Sequence, residues 1–514
     1  MGFTPTVAAY WVNRLHDEMT IRNGPLDNRP SLYKRERYFN GDQPLQFASQ
    51  EWRNFHNDRF RGFSDNWCGV VGSAAADRTE VFGIRLGDDP AVQSPDEKAL
   101  WDDWVRAGGP EKSDQGYLSS AYLATSYALV WADADGNPTL TWLNPDTTIV
   151  HNNPETGEPE YGLRAWVDDD LTEHATLYTA DEVWKFSRKT IANRLAASGF
   201  ILPAAMSLLA GGWGPREGGD PVVANTLGVL PLVEHPNRPL LSKGPISDID
   251  GTMAMQDAIN LMWAYLFGAA DYAGMPARVV SGAERPVMPI LDAEGQKIGE
   301  KPLDLEALTR GRMLWLTGEK ASTSEWAAAQ LDVFTNVVGV AVKHLASQTQ
   351  TPIHYIMGEL GNVNGETLTA LELPLATKVR KGHKSLTRPT REVFRRFAIV
   401  RGKTAVAKAC RAATIQWRNP ETMSDAQVSD SASKDRAIGW PLSAIFERRY
   451  GMSQPEIDRL MDQIKGEADD PLLQMARDLA GPTTAPANAP APMAPTSTAA
   501  PVMEMSSGAA APGN

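Results

Sequence analysis

The sequence predicts an α+β protein in which a mixed N-terminal module leads into two long helices flanking a small insert. Three observations carry this. Up to about residue 239, short β-like runs separated by Gly, Asp and Pro turns alternate with helical patterns. Two stretches of more than about twenty residues then keep their apolar residues at helical spacing. From Gly481 the chain is almost entirely Ala, Pro, Thr, Ser and Met, a composition that cannot bury enough apolar area to order itself.

Thr6 to Met19 reads as an amphipathic helix, with Val7, Tyr10, Trp11, Leu15 and Met19 at helical spacing. Strands are expected at Ala128 to Ala132, Thr139 to Leu143 and Glu182 to Phe186, and helices at Asp96 to Val105 and Tyr117 to Ser126. The stretch Gly211 to Pro221 (GGWGPREGGDP) is too rich in Gly and Pro for an element and is expected to be mobile.

Ser247 with Asp250 three residues on has the form of a capping box, so the first long helix is expected to start there and run to Tyr272. That is roughly 39 Å at about 1.5 Å per residue. Gly274 and Pro276 stop it. Met275 to Ser324 is a compact insert with β-like runs at Ala277 to Val280 and Met313 to Leu316, and a turn at Asp292 to Gly299. The second long helix is expected over Ser324 to Ser347, with Trp326, Leu331, Phe334, Val338, Val342 and Leu345 on one face. A polar loop, Gly358 to Thr367 (GELGNVNGET), precedes a long helical region to Lys408 with breaks expected at Pro374, Pro389 and Gly402. Ile415 to Pro420 reads as a strand, and Asp435 to Tyr450 and Gln454 to Lys465 as helices.

At 514 residues, two to four structural modules are expected. Hydrophobic residues at 42 % and fifteen Trp suffice for a packed interior. No basic region followed by an apolar run opens the chain, so no secretory signal is expected. The most apolar helical stretch, Ala258 to Ala270, spans thirteen residues between Asp257 and Asp271, well short of the roughly 20 that a membrane span needs. Cys68 and Cys410 are far apart without metal-like spacing and read as buried free thiols in a reducing compartment.

Motifs for chemistry are missing. Asp133 to Pro138 (DADGNP) misplaces the glycine of a calcium loop and lacks the acid at its twelfth position, and it reads as a hairpin turn. There is no phosphate-binding G-x-x-x-x-G-K-S/T loop, no H-E-x-x-H and no G-x-S-x-G elbow. No catalytic residue, metal site or cofactor is expected, and the chain reads as a non-enzyme.

The formal net charge is −13, which argues against tight duplex binding, since such affinity comes mainly from Lys and Arg on phosphates. The charge is unevenly spread. Ala376 to Arg411 holds twelve Lys and Arg against Glu392 alone, a net +11 that leaves −24 on the rest of the chain. Lys378, Arg380, Lys381, Lys384, Arg388, Arg391, Arg395 and Arg396 form its densest part. Two readings stand: a basic face that pairs with acidic surfaces of neighbouring copies, or one that faces DNA.

The segments YFNGDQPL (Tyr38 to Leu45), NWCGVV (Asn66 to Val71), Asn225 to Pro239, Gly244 to Gly282 and Thr351 to Glu372, in that order and spacing, resemble the Gp6-like portal proteins of tailed bacteriophages. The resemblance covers about Tyr33 to Lys465. It implies a portal-type subunit: an α/β wing (1–243), stem helix 1 (244–274), a small α/β clip (275–323) and stem helix 2 (324–350). A tunnel-loop region (351–368), a long kinked helix with a wing strand (369–430), a helical crown (431–470) and a disordered tail (471–514) complete it.

The resemblance implies that Glu359, Gly361, Asn362, Asn364 and Gly365 belong to the tunnel loop, with Lys343 a candidate DNA-channel contact. It further implies a homo-oligomeric ring of about twelve copies at the portal vertex of the virion, assembled in the host cytoplasm. Its partners would be double-stranded DNA passing without sequence specificity, terminase, head-completion or adaptor proteins and capsid protein, with no membrane. About twelve copies at −13 give roughly −156, a wall that repels phosphate. Another virion structural protein, or an enzyme with a helical arm, is the competing reading.

Overall fold

The computed structural model describes residues 3–24, 30–43, 64–87, 94–170, 172–189, 212–242, 244–274, 278–281, 287–291, 295–302, 313–316, 322–325, 330–358, 365–421, 423 and 425–469. The tail expected to be disordered lies outside them.

Helix α1 (Pro5–Asn23) opens with Thr4 capping the Val7 amide and Pro5 in the first turn. Its buried side is Ala8, Val12, Leu15 and Met19, while Val7 and Tyr10 face solvent. The helix is where the spacing predicts it, but its core face is turned, because small Ala8 fits against the sheet below where Val7 was expected. Helices α2 (Leu32–Asn40) and α3 (Trp67–Ala74) follow, then strand β1 (Val81–Arg85). Helix α4 (Pro95–Arg106) starts in a complete capping box: Ser94 accepts from the Glu97 amide, and Glu97 accepts from the Ser94 amide.

Helix α5 (Gly109–Leu123) ends where Ala124 turns left-handed, at φ +77°, so Ser126 belongs to the strand that follows rather than closing the helix. Gly116 lies under the Trp142 indole, where an added Cβ would sit 2.2 Å from the ring.

Strands β2 (Thr125–Ala132) and β3 (Pro138–Leu143) form a hairpin, closed by Asp133, whose carboxylate accepts from the Asp135 and Asn137 amides. A six-stranded antiparallel sheet follows from β4 (Thr148–Asn152), β5 (Pro159–Val167), β6 (Thr172–Tyr178), β7 (Glu182–Lys189), β8 (Gly214–Pro215) and β9 (Val222–Ala224). Helix α1 packs on it through Leu163, Ala175, Leu177 and Phe186. The stretch expected to be mobile is thus tied in: Trp213 is buried under the Arg188 guanidinium, Gly214 and Pro215 pair with β7, and the Lys185 amide donates to Pro221. Strand β10 (Leu232–Pro236) adds to β2 to give the order β10-β2-β3.

Helix α6 (Met253–Gly274) begins six residues after Ser247. The Ser247 hydroxyl donates to the Tyr122 carbonyl and accepts from the Ile249 amide, and Asp250 takes a two-pronged bond from Arg35. Both side chains of the expected capping box are spent on other elements. Strands β11 (Arg278–Ser281), β12 (Val287–Leu291), β13 (Lys297–Pro302), β14 (Met313–Leu316) and β15 (Ser322–Glu325) follow; β11 lies between β14 and β15, and β12 pairs with β13. Ser324 pairs with Val279 in this sheet, so helix α7 (Asp332–Thr349) starts eight residues later than expected. Helices α6 and α7 pack through Ile259, Val338, Val342 and Leu345, with Cys68 and Val71 of α3 beneath.

After the short helix α8 (Ile353–Met357), helix α9 (Gly365–Val400) runs without a break through Pro374 and Pro389. A proline inside a helix removes a hydrogen bond and crowds the carbonyl four residues back. Burial compensates here: Leu375, Ala376, Val393, Phe394 and Phe397 all leave water. The helix stops at Gly402, φ +71°, whose amide bonds Ile399 while the Lys403 amide bonds Ala398, a Schellman closure. Helix α10 (Thr404–Ala409) leads to β16 (Thr414–Trp417), antiparallel to β1. Helices α11 (Asp425–Ala437) and α12 (Leu442–Tyr450) follow. Of the second compact unit, Pro455–Asn514, the described part belongs to helix α13 (Gln454–Asp469).

The main core joins α4, α5, β10-β2-β3 and α9 around Trp104, Tyr117, Val130, Phe394 and Cys410. Cys68 and Cys410 are buried and free, and burial pushes both thiols up to about 12. No described helix is long and apolar enough to cross a membrane.

Candidate functional site

The three long helices converge on one buried charge pair. Asp248, in the turn before α6, receives Lys378 of α9 at 2.9 Å, with 2 % and 3 % of the two side chains exposed. The Lys378 ammonium also donates to the Thr349 carbonyl at the end of α7, at 3.2 Å. Asn237 and Arg238 complete the carboxylate's shell. Burial would raise the Asp248 carboxyl, but Lys378 and Arg238 outweigh it and hold it below the ordinary range. Burial pulls the Lys378 ammonium down, partly offset by Asp248. Arg238 reaches the site from a left-handed backbone, φ +40°, uncommon outside glycine. Beside the pair, a cavity of about 30 Å³ borders Arg238, Asp248, Lys378 and Val379, with room for one water molecule.

The basic run therefore divides. Arg396, 2 % exposed, donates to the Leu230 carbonyl and to Glu392, which also takes Arg395. Arg380 pairs with Glu421 and Arg388 with Glu158 at 2.9 Å. Arg401 grips Asp103, and Lys403 meets Asp96 at 2.7 Å. Lys378 and Arg396 thus face neither DNA nor a neighbouring copy, because their charges are consumed inside the protomer. Arg391 is half-buried. Lys381, Lys384, Lys408 and Arg411 are exposed, and none pairs with a carboxylate among the described residues.

Of the expected loop residues, Glu359, Gly361, Asn362 and Asn364 lie outside the described residues, and Gly365 is the first residue of α9. The flanks are described. Arg78, in a single 3-10 turn after α3, donates to Glu372 of α9 at 3.1 Å, to the Tyr355 hydroxyl of α8 and to the Pro420 carbonyl beyond β16. His354 approaches the other Glu372 oxygen at 3.4 Å. Lys343 stands exposed on α7, as do Val333, Val337 and Val340, each about half-exposed.

Sequence reasoning found the basic run but not its partners. Asp248, Glu158 and Asp103 lie far from it in sequence, Glu421 lies 41 residues after the Arg380 it pairs with, and one acid among 63 carries no signal alone. Arg78, His354 and Glu372 were missed for the same reason. No group of three or more His, Cys, Asp or Glu suited to a metal occurs among the described residues.

The family profile described as Phage portal protein, SPP1 Gp6-like, matches residues 83–442, from β1 through the start of α12. The portal protein of Mycobacterium phage D29 is 25 % identical over 386 residues, covering 70 % of each chain. That of Mycobacterium phage L5 is 25 % identical over 381 residues, again 70 % of each. With well over half of its residues, including both long helices and the basic helix, inside that match, the chain belongs to the phage portal protein family of the SPP1 Gp6-like type.

Proposed function

We propose that this chain is the portal subunit of a tailed bacteriophage. It would form a closed ring at one capsid vertex, through which the genome is packaged and later ejected. The observation that carries the proposal is the family match over residues 83–442.

In this reading α6 and α7 are the stem, the strands between them the clip, and α9 the long helix crossing the wing. Residues 431–470 are the crown, and residues 351–368, with Gly365 among them, are the tunnel-loop region. Terminase docks during packaging, head-completion or adaptor proteins afterwards, and capsid protein surrounds the ring, which contains about twelve copies. The particle is assembled in the host cytoplasm and the ring stays at the portal vertex of the virion. The subunit works as a conduit rather than an enzyme.

Charge supports a sliding surface. A channel that passes a polyanion in both directions needs shallow minima, and an acidic subunit offers few places for phosphate to bind. Lys343, exposed on α7, is the proposed weak contact along the bore. The exposed cations Lys381, Lys384, Lys408 and Arg411 are proposed to meet acidic surfaces of the neighbouring copy. The half-exposed valines of α7 suit the same head-to-tail interface, where each copy buries two different surfaces.

Negative-stain microscopy of the purified full-length chain tests the proposal. Closed rings are expected. Shells or open tubes would point to another virion component, and a monomer with turnover on a substrate would overturn it.

A further inference from the structure

Arg78 ties together chain segments that are remote in sequence. Its guanidinium meets Tyr355 and Glu372, which stand on either side of residues 358–364, and it meets the Pro420 carbonyl. Glu372 closes the figure, taking Arg78 on one oxygen and approaching His354 with the other. The side chains of Arg78, Glu372 and His354 are 13 %, 8 % and 8 % exposed, so the arrangement sits largely out of water. Charge-assisted bonds in such surroundings are strong, and a carboxylate left there without its partner is costly.

Helix α8 needs this support. Five residues cannot hold a helix by themselves, and α8 ends at once in left-handed Gly358. Ile356 and Ile353 anchor it in the core, and among the described residues Arg78 and Glu372 bind its polar side chains to the rest of the protomer. The first turns of α9 are similarly placed: Leu371 and Leu373 are exposed, and the buried residues of this stretch are Glu372 and then Leu375 and Ala376.

We propose that Arg78 is a positioning residue that clamps both ends of the 358–364 segment to each other and to the chain beyond β16. The proposal rests on reading that segment as the loop at the bore. On it, Arg78 fixes the spacing of the two described flanks, α8 and the first turns of α9, from which that loop departs. An arginine is required because its planar fork serves three acceptors at once, whereas a lysine at the same place reaches fewer.

Amide hydrogen exchange on the full-length chain, read by mass spectrometry, tests this with Arg78→Gln, Arg78→Lys and Tyr355→Phe. Arg78→Gln is expected to speed exchange at least about tenfold in peptides covering 353–358 and 365–372, with 253–274 and 332–349 unchanged. Arg78→Lys should fall between, and Tyr355→Phe should show a smaller effect in the same peptides. Unchanged exchange there in both Arg78→Gln and Tyr355→Phe overturns the proposal, as does acceleration spread evenly along the chain. Should Arg78→Gln fail to fold, Tyr355→Phe decides, since it removes one hydroxyl from a half-exposed ring. Microscopy of the unmodified protein separates the two ideas. Absence of rings defeats the portal reading, while the exchange pattern still judges the clamp.

Discussion

Lys378 and Asp248 meet at 2.9 Å across 130 residues of sequence, and together with the Thr349 carbonyl they fasten the turn before α6, the end of α7 and the interior of α9 at one point. Removing one member of a buried pair leaves the other charge without water or partner. Asp248 keeps Arg238, so the loss is blunted.

Lys378→Met is therefore expected to cost about 3 kcal/mol in urea unfolding, and Asp248→Asn a similar amount. The double variant should lose clearly less than the two single losses together, because both report one interaction. Additive losses would dissolve the pair as an energetic unit.

Two buried imidazoles make stability depend on pH. Burial holds His235 near about 3 and, with Arg380 nearby, His383 near about 4, below the ordinary 6.5. Their depressed values mean the unfolded chain binds protons that the folded one refuses. Stability from this source is complete above pH 6.5 and falls as pH drops towards 4. Each site contributes a slope of about 1.4 kcal/mol per pH unit in that window. His383→Phe, which preserves stacking on Trp417, should remove about half of the slope due to the two. Unfolding curves between pH 5 and 6.5 check this, and an unaltered slope rules it out.

Reversing charge at Lys381, Lys384, Lys408 and Arg411 to Glu should leave the protomer's melting temperature within a few degrees, as about 0.5 kcal/mol per exposed site implies. It should weaken ring formation, more so at low salt. Rings that form normally while packaged DNA is lost would instead assign these residues to DNA.

Shortening Gly361 to Gly365 is expected to leave rings intact and to impair packaging. Heads filled normally with DNA from such a variant would refute the assignment of this segment to the bore.

Much of the fold could be read from residues. Periodicity located α1, α4, the β2–β3 hairpin, both long helices and β16, although on α1 the buried face is turned towards Ala8 and away from Val7 and Tyr10. What escaped depended on remote partners. Ser247 and Asp250 look like a cap until Tyr122 and Arg35 claim them. Pro374 and Pro389 look like breaks until the burial of Leu375, Val393 and Phe394 outweighs the lost bonds. The basic run looked like one surface, yet Lys378 and Arg396 are interior, a fact set by Asp248 and Leu230 rather than by the run itself.

The pairing of β1 with β16 also governs how the protein is born. Val81 leaves the ribosome 336 residues before its partner Trp417. At roughly 5–20 residues per second, that edge waits for tens of seconds without its mate. For most of that interval α4 and α5 are already made, while α9, which completes their core, is not. The nascent chain thus carries an open strand edge and an uncovered apolar surface late into translation, when chaperones have most to guard.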